Sequence, residues 1–557
     1  MRIDAEFTTE VLIIGGGGAG LRAALAAAEA GSKVLVVNKG PVGKSGITLT
    51  AAGGMQAPLA AEDSAEIYFR DTVDCGYRLG DENLAMILAS GACQQVTDLE
   101  RYGARFLSHD DGRYNLRQFP GQSVARNLFI QGGGIGLVAA LAKACRRHEN
   151  ITIVDDFLVT GLVKDSTGAV AGAAGLNLKT GEMTLIKARA TVMATGGCQW
   201  LWEVNDCPAD ATGDGIIHAY RAGAQLVDME MVLFYPSIIV WPPSLQGSFV
   251  HYEYLSPDLL DGNVYDNKGI PVLPKPLPVR DQAMRMMAEA IREGRGDEHG
   301  GLLWYVGDSP KHPDFVKATL DSLQYDYIRA HGVNPAIDRI AVAPGAHYLM
   351  GGIFIDDKCR TTVPGLFATP ECAGNFDGAN RLAGSGITAT QVFGAHCGQQ
   401  AHQWAAEKGP AVVDRASVEE EISRIETKLG PGGRRPSPAP ELAKKLRLAV
   451  QNHAGVVRSG PGLTELAALA AEVKKQAAEL TAPGALRYNQ GFLDLLQLET
   501  MAEAASLIAL SAMAREESRG HHYRSDFPAT SDSWLRHTTV VREGGQAVMG
   551  TRPVVRL

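Results

Sequence analysis

A glycine-rich turn near the start of the chain has the residue types and spacing of a phosphate-binding loop. An apolar run leads into Gly15-x-Gly17-x-x-Gly20, and an alanine-rich stretch with helical periodicity, 21–30, follows it directly. Backbone N–H groups of such a turn, and the N-terminus of the helix after it, face phosphate oxygens. The pattern therefore predicts that the chain binds a dinucleotide through its pyrophosphate.

A second apolar run follows this helix and ends at a position that often selects the dinucleotide. The run covers residues 33–37, and Asn38 and Lys39 come next. NAD-binding proteins usually carry an acidic residue there, which accepts hydrogen bonds from the ribose. Asn38 fits that role poorly, so the sequence does not favour NAD.

Changes of pattern along the chain indicate several domains, as expected for 557 residues. From residue 10 to about 232, short apolar strands alternate with helical stretches, which predicts a doubly wound α/β sheet. Between about 233 and 344, loops rich in proline and aromatic residues precede an amphipathic helix candidate, 280–293. From about 411 the chain becomes helical, interrupted by a turn-rich segment at 430–440.

Composition excludes several classes of partner and location. The 53 basic and 62 acidic residues form no long block of one sign, so nucleic acid is not an expected partner. The eight cysteines never form a Cys-x-x-Cys pair, which predicts neither a metal site nor an iron–sulfur cluster within this chain. Without a long uncharged apolar run or room for a signal peptide, we expect a cytoplasmic protein that reaches a membrane only through partners.

Further motifs are spread over almost the whole chain: SGITLTAAGG at 45–54, FPGQS at 119–123, ATGG at 194–197, TGDG at 212–215, DMEM at 228–231, Arg280 with Asp281, GAHYLMGG at 345–352, ECAGNFDGANRL at 371–382 and ESRGHH at 517–522. In this order they resemble the flavoprotein subunit of succinate dehydrogenase and fumarate reductase, and more loosely L-aspartate oxidase and the adenylylsulfate reductase alpha subunit. The resemblance implies an α/β fold with a Rossmann-type FAD-binding domain at 1–232 and 345–410. It also implies an inserted α+β capping domain at 233–344 and a C-terminal helical domain at 411–557.

The same resemblance implies that the dinucleotide is FAD. The implied FAD-binding residues are Gly15, Gly17, Gly18, Ala19, Gly20, Asn38, Lys39, Ser45, Thr48, Gly53, Gly54, Ala194, Thr195, Gly196, Asp214, His347, Glu371, Asn380, Arg381, Ser385, Gly386 and Ile387. Among them, Glu371 is expected to accept hydrogen bonds from the adenosine ribose. Family members with covalently bound flavin carry a histidine within Ser-His-Thr, where this chain has Ile47 before Thr48. We therefore expect FAD to be bound without a covalent link.

Arg280 is the candidate proton donor. It lies two residues after Pro278, at the first turn of the predicted helix 280–293. A cation there opposes the helix dipole, so an anion is expected nearby, and the adjacent Asp281 is a candidate. In the family, the corresponding arginine protonates the carbon of the double bond that does not receive hydride from reduced flavin N5. The resemblance therefore implies a catalytic role for Arg280.

The resemblance also implies a binding site for a carboxylate substrate. His347 and Arg381 are expected to hold one carboxylate, Arg381 through its planar two-pronged donor face. Further implied substrate contacts are Phe119, Gln122 and Tyr235.

Two departures affect the second carboxylate of a dicarboxylate substrate. Tyr235 stands where the family has a histidine, and a phenol adds no positive charge at neutral pH. The Thr-Glu-Gly stretch of the family has no clear counterpart between Gln246 and Gly262. We therefore expect fumarate and succinate to be poor substrates compared with an acid that has one carboxylate and a less charged second end.

The resulting hypothesis is an FAD-dependent oxidoreductase that reduces or forms a C–C double bond next to a carboxylate. An iron–sulfur protein is the implied electron partner, and the segment Arg515–Arg519 is predicted to be helical and to lie where such partners approach. Other possibilities are an amine oxidase like L-aspartate oxidase, an enzyme like adenylylsulfate reductase, or an electron-transfer subunit without its own substrate. The presence of Arg280, His347 and Arg381 speaks against the last of these.

Overall fold

The computed structural model describes residues 2–320, 323–430 and 438–557. The first part contains β1 (Ala5–Ile14), α1 (Gly18–Glu29), β2 (Val34–Val37), β3 (Gly54–Gln56), α2 (Ala65–Cys75), α3 (Glu82–Tyr102), β4 (Asn127–Phe129), α4 (Gly133–Arg147), β5 (Ile151–Val154), β6 (Phe157–Lys164), β7 (Val170–Asn177), β8 (Met183–Met193), α5 (Asp214–Arg221) and β9 (Leu226–Val227). Then follow β10 (Val232–Trp241), β11 (Asn263–Tyr265), α6 (Arg280–Ala290), β12 (Leu302–Tyr305), α7 (Pro313–Leu320), α8 (Leu323–Ala330), β13 (Ile340–Leu349), β14 (Gly352–Ile353), β15 (Leu366–Ala368) and α9 (Ser385–Glu407). The last part contains α10 (Arg415–Glu426), β16 (Leu429–Gly430), α11 (Ala439–His453), β17 (Val457–Arg458), α12 (Gly460–Glu479), β18 (Ala482–Pro483), α13 (Gln490–Ala514), β19 (Tyr523–Arg524), β20 (Arg536–Glu543) and β21 (Gln546–Pro553).

The central sheet positions the glycine turn. Its strand order is β5-β2-β1-β8-β7-β6, with β15 paired to β8. Strands β5, β2, β1, β8 and β15 pair in parallel, as the alternating pattern predicts. Strands β6, β7 and β8 pair antiparallel, which the sequence analysis did not predict. Because β1 ends at Ile14 and α1 begins at Gly18, the turn opens at the C-terminal edge of the parallel strands, where α/β proteins bind ligands.

A second, antiparallel sheet is inserted after β9. Its order is β10-β13-β12-β11, and its apolar side chains form a separate core with helices α6, α7 and α8. This architecture agrees with the predicted α+β insertion. Helix α6 begins at Arg280 as predicted and ends at Ala290, and a π-helical turn, Ile291–Arg295, continues it past the predicted end at residue 293. The side chain of Arg280 is thereby fixed at the first turn of a helix of the insertion.

Helices dominate the C-terminal part, in agreement with the prediction, but its last residues form a hairpin of β20 and β21. Strand β20 pairs with β9, so this hairpin extends a small sheet in the order β14-β9-β20-β21. Among the described residues, α13 is long and apolar enough to cross a membrane by length and composition, and 78% of its apolar window is buried inside the protein. It packs against α11 and α12. Residues 431–437 of the predicted turn-rich segment lie outside the described residues.

The segment Arg515–Arg519 differs from its prediction. Helix α13 ends at Ala514, so the segment is not helical, and Arg515, Glu517 and Arg519 are buried. The Arg515 guanidinium donates to Glu230 at 2.6 Å and to Glu517 at 3.1 Å. The prediction that this segment is helical was therefore wrong, because its charges pair with one another and with Glu230 inside the protein. That an electron partner approaches this region stays a prediction.

Candidate active site

Two joined cavities lie beside the C-terminal edge of the central sheet. The first, of about 920 Å³, is lined among others by Gly15, Gly17, Gly18, Ala19, Asn38, Lys39, Ala194, Thr195, Gly196 and Asp214. The second, of about 930 Å³, is lined among others by Gly53, Gly54, Phe119, Tyr235, Arg280, His347, Arg381, Gly386 and Ile387. The cavities meet at residues that line both: Ile47, Thr48, Glu371 and Thr390. The fold thus brings most of the predicted site residues together.

Five of the predicted site residues line neither cavity and instead support the cavity walls: Gly20, Ser45, Gln122, Asn380 and Ser385. Gln122 accepts a hydrogen bond from the Phe119 backbone N–H at 2.9 Å, and Ser385 Oγ lies 3.1 Å from Tyr68 Oη. Ser45 Oγ accepts from the Asn38 side chain, and Asn380 Oδ1 accepts from the Arg381 backbone N–H. The side chains of Gln122, Ser45 and Asn380 therefore fix the wall residues Phe119, Asn38 and Arg381.

The glycine turn is shaped for close approach. Gly15 has a φ of +114°, and a Cβ atom there would lie 2.2 Å from the carbonyl oxygen of Ala194. A Cβ atom on Gly20 would lie 1.9 Å from the carbonyl oxygen of Gly15. Helix α1 has no side-chain N-cap, so the N-terminus of this helix presents its backbone donors without a competing side chain. This end of the helix suits a pyrophosphate.

Asn38 and Lys39, at the end of β2, are tied to neighbouring loops. The Asn38 side chain accepts from the Gly16 N–H at 2.8 Å and donates to the Gly40 carbonyl at 2.7 Å. Lys39 Nζ donates to Asp214 Oδ2 at 2.8 Å. Burial alone would raise the pKa of Asp214, but Lys39 and nearby hydrogen bonds outweigh it and lower the pKa to about 2. Both residues line the first cavity, while their polar groups also stabilise its rim.

His347, on β13, is oriented by an acid that sequence reasoning missed. Its Nδ1 lies 2.6 Å from Asp206 Oδ2, and the Asp206 side chain is only 5% exposed. Because Nδ1 is engaged by this carboxyl group, Nε2 is the ring nitrogen left for the cavity. Asp206 lies 141 residues before His347 in a loop without a recognisable motif, so no local signal could have indicated the pair.

Arg381 is held by stacking. Its guanidinium carbon lies 4.3 Å from the centre of the Tyr348 ring, and its Nε is buried without a hydrogen-bond partner among the described residues. Burial raises the pKa of the nearby Asp377 to about 7, although Arg381 acts in the opposite direction. A buried guanidinium with unused donor capacity favours an anionic ligand in the second cavity.

Arg280 pairs with Glu253, a second acid that the sequence analysis did not identify. Arg280 Nε donates to Glu253 Oε1 at 2.9 Å, and its Nη2 contacts the same oxygen. Burial alone would raise the pKa of Glu253, but Arg280 outweighs it and keeps the pKa below its ordinary range. The predicted partner, Asp281, instead accepts a hydrogen bond from Tyr77 Oη at 2.6 Å. The expected anion is therefore present, but it comes from a different segment.

Tyr235 completes this group. Its Oη donates to Glu253 Oε2 at 2.8 Å, and its ring lies 5.0 Å from the Arg280 guanidinium carbon. Its only proton is thus used inside the protein, so Tyr235 offers the cavity its ring rather than a donor. Glu253 belongs to the segment 246–262, in which the sequence showed no counterpart of the family's Thr-Glu-Gly stretch.

Comparisons with known proteins agree with this geometry. A family model described as an FAD binding domain matches residues 10–387, and one described as the fumarate reductase flavoprotein C-terminal region matches residues 443–556. The chain belongs to the fumarate reductase and succinate dehydrogenase flavoprotein family. It is therefore an FAD-dependent oxidoreductase of the kind that acts on CH–CH bonds.

Individual members of this flavoprotein family match over nearly their whole length. One subunit of the fumarate reductase (CoM/CoB) of Methanothermobacter marburgensis is 34% identical, over 96% of this chain and 98% of its own. L-aspartate oxidase of Caulobacter vibrioides is 32% identical, over 96% of both chains. A chain of a quinol–fumarate reductase solved with menaquinol superposes with a TM-score of 0.90 at 27% identity, over 100% of this chain and 99% of that one. These matches support partner subunits for this flavoprotein.

The joined cavities fit FAD. The uncapped N-terminus of α1 faces the first cavity, where a pyrophosphate requires backbone donors. Helix α9 also begins without a side-chain cap, and Gly384, Gly386 and Ile387 at its start line the second cavity. The positive end of its dipole would stabilise negative charge on a flavin ring there. This structure thus offers a separate helix N-terminus to each half of the cofactor.

Proposed function

We propose that this flavoprotein reduces or forms the C–C double bond of a substrate whose carboxylate is held by His347 and Arg381, with Arg280 as the proton donor or acceptor. The observation that supports this most strongly is that all three side chains line one cavity, which opens into the cavity of the glycine turn. When bound, reduced FAD supplies the hydride that adds to one carbon of the double bond.

Two side chains with hydrogen-bond donors, His347 and Arg381, anchor the substrate carboxylate. In its cationic form, with a proton on both ring nitrogens, His347 donates from Nδ1 to Asp206 and from Nε2 to the substrate carboxylate, and Arg381 adds its planar donor face. Charge-assisted hydrogen bonds of this kind are among the strong ones in proteins. They orient the double bond so that one of its carbons lies close to Arg280 and the other toward the start of α9.

Arg280 holds the transferable proton at its guanidinium. Its buried partner Glu253 stays ionised and stabilises the cation between turnovers. His251 Nδ1 lies 3.9 Å from Glu253 Oε2, and His251 also lines the cavity. Glu253 is therefore placed to return a proton to Arg280 after each reduction, with His251 as a source through one bridging water, since 3.9 Å is too long for a direct transfer.

For Glu371 we propose a contact different from the adenosine ribose that the resemblance implies. Glu371 lies where the two cavities meet, whereas Asn38 and Lys39 lie at the end of the first cavity near β2. Burial raises the pKa of Glu371 to about 7, so its carboxyl group can be protonated near neutral pH. We assign Glu371 to the middle of the cofactor rather than to the adenosine ribose. The affinities of a Glu371→Gln variant for FAD and for ADP test this: weaker binding of FAD with unchanged binding of ADP would support the assignment, and an equal loss for ADP would place Glu371 at the adenosine ribose.

FAD is expected to be bound without a covalent link. Ile47 lies where the two cavities join, and its side chain has no atom that can form a bond to the flavin. Precipitation of the purified protein with acid should therefore release the yellow colour into the supernatant. Colour that stays with the washed precipitate would mean that another residue forms a covalent link.

The domain boundaries belong to the same proposal. Residues 1–232 and 345–410 form the FAD-binding domain, 233–344 the cap and 411–557 the C-terminal domain. The second cavity is lined by residues of the first two, which supports entry of the substrate between the FAD-binding domain and a mobile cap. Amide hydrogen exchange of the cap that slows when substrate binds would support this motion, and exchange that is identical with and without substrate would contradict it.

An iron–sulfur protein is the proposed electron partner, in a cytoplasmic assembly that contacts a membrane only through other subunits. All eight cysteines are free thiols and the chain has no cysteine pair for a cluster, so the electrons must leave or arrive through another carrier. Affinity purification from native cells should recover a partner with cluster absorption. Recovery of the flavoprotein alone, fully active with oxygen, would contradict this partner.

Reoxidation of the reduced protein tests the proposed function directly. The flavoprotein is reduced with dithionite under nitrogen, and the return of flavin absorption is followed after addition of single enoates. Return of absorption with an enoate, and formation of the saturated acid, is the expected result. L-aspartate is the comparison, because one relative is named as an oxidase of that amino acid. Turnover of L-aspartate with oxygen and no reaction with any enoate would favour the amine oxidase.

A further inference from the structure

One wall of the second cavity is aromatic. Phe249 and His251 follow strand β10 and line the cavity, as do Phe119 and Phe129. The Phe249 ring centre lies 5.1 Å from that of Tyr235 and 5.5 Å from that of His251. Phe119 and Phe129 meet edge to face at 6.2 Å. The Phe249 ring centre also lies 6.3 Å from that of His347, so the aromatic lining begins directly beside the proposed carboxylate site.

The charges near this wall are already paired. Arg280 contacts Glu253, and Tyr235 donates its only proton to the same carboxylate. Nearby arginines do not line the cavity: Arg117 donates to Tyr254 Oη at 3.1 Å, and Arg285 pairs with Asp281 at 3.7 Å. The positive charges around the wall are therefore engaged by protein groups.

His251 is the remaining group that could receive a second carboxylate, but its position is unfavourable for one. Its Nδ1 lies 3.9 Å from Glu253 Oε2, so a carboxylate bound at this imidazole would lie close to the buried anion of Glu253. Like charges at such short range repel strongly where little water screens them. The wall therefore favours an uncharged group.

We infer that the substrate is a 3-aryl-2-enoate, an inference that rests on the proposed function. The single carboxylate binds His347 and Arg381, the double bond lies beside Arg280, and the aryl ring packs against Phe249 and Phe119. Aromatic rings pack edge to face with centre distances like those found within this wall. An aryl group leaves no charge unpaired there, whereas the second carboxylate of fumarate would be buried without a cation.

Steady-state kinetics on the FAD-loaded protein with a reduced dye as electron donor test the inference. The acids are cinnamate, crotonate and fumarate, which differ in the group at the far end. We expect kcat/KM for cinnamate to exceed that for both other acids by about tenfold or more. Phe249→Leu should lower kcat/KM for cinnamate by about fivefold to tenfold and change that for fumarate less than twofold. Phe315→Leu, which replaces an exposed phenylalanine of the cap, should change neither value.

Each contrary outcome has a distinct meaning. Three results would overturn the aryl assignment and leave the proposed double-bond chemistry intact. They are a higher kcat/KM for fumarate than for cinnamate, an equal kcat/KM for crotonate and cinnamate, and equal losses of kcat/KM for cinnamate and fumarate in Phe249→Leu. Failure of every enoate to reoxidise the protein would overturn the proposed function together with this inference. The flavin absorption spectrum of each variant shows whether its fold and cofactor are retained. If the Phe249→Leu variant does not retain FAD, the parent protein decides the assignment. Binding of cinnamate and binding of fumarate to the parent are then measured from the flavin spectrum. Tighter binding of cinnamate supports the aryl assignment, and tighter binding of fumarate overturns it.

Discussion

Replacement of Arg280 by lysine is expected to lower kcat for double-bond reduction by about a hundredfold or more, the usual contribution of a positioned acid. Lysine keeps the positive charge but lacks the planar fork through which Arg280 contacts Glu253. The lysine ammonium group at the first turn of α6 can still pair with Glu253. Because the lysine side chain is shorter, its protons do not reach the position that the guanidinium occupies. FAD content should stay unchanged, because Arg280 does not line the first cavity, where the glycine turn and the start of α1 face the pyrophosphate.

Single-turnover reoxidation of the reduced variant by an enoate measures this loss, and the flavin spectrum reports cofactor retention. The matched control is Arg285→Lys, which changes the same residue type one turn further along α6. Arg285 pairs with Asp281 and does not line the cavity, so its substitution should leave kcat within about twofold. Arg280→Lys with kcat within about threefold of the parent would remove Arg280 from the mechanism.

The sequence predicts those parts of the fold that are determined by residues close to one another in the chain. The glycine turn between β1 and α1 follows from a short motif whose backbone geometry allows little besides glycine at Gly15. The start of α6 at Arg280 follows from helical periodicity. The antiparallel pairing of β6 to β8, and of β20 with β9, joins segments by long-range register rather than by local pattern. Such pairing is set by tertiary packing, which propensity does not describe.

The same distinction applies to the site. His347, Arg381 and Arg280 carry motifs around them, and the structure places all three at one cavity. Glu253 and Asp206 carry no motif, and their function depends on partners 27 and 141 residues away. Sequence reasoning therefore chose the neighbour Asp281 as the anion for Arg280. A rule based on adjacent residues could not identify an acid from another loop.

Among the acids, Glu253 should matter most, and Glu253→Gln is expected to lower kcat by about a hundredfold while FAD stays bound. The amide keeps the size of the side chain but removes the charge that stabilises the Arg280 cation. Removal of one partner of a buried ion pair leaves the other charge without compensation, which costs roughly 3 to 5 kcal/mol. The Arg280 side chain would relieve this penalty either by moving away or by losing its proton, and each of these changes would disable the proton donor.

Three measurements separate this role from a merely structural one. Glu253→Asp, which keeps the charge on a shorter side chain, should recover part of kcat, whereas Glu298→Gln should match the parent because Glu298 is an exposed acid of the cap. The pH profile is the third test: since Arg280 holds the pKa of Glu253 below its ordinary range, Glu253 remains ionised from about pH 5 to about pH 9 and adds no inflection to kcat there. A Glu253→Gln variant with kcat within about threefold of the parent would show that Arg280 works without this carboxylate. The proton would then reach Arg280 by a route that does not pass through Glu253.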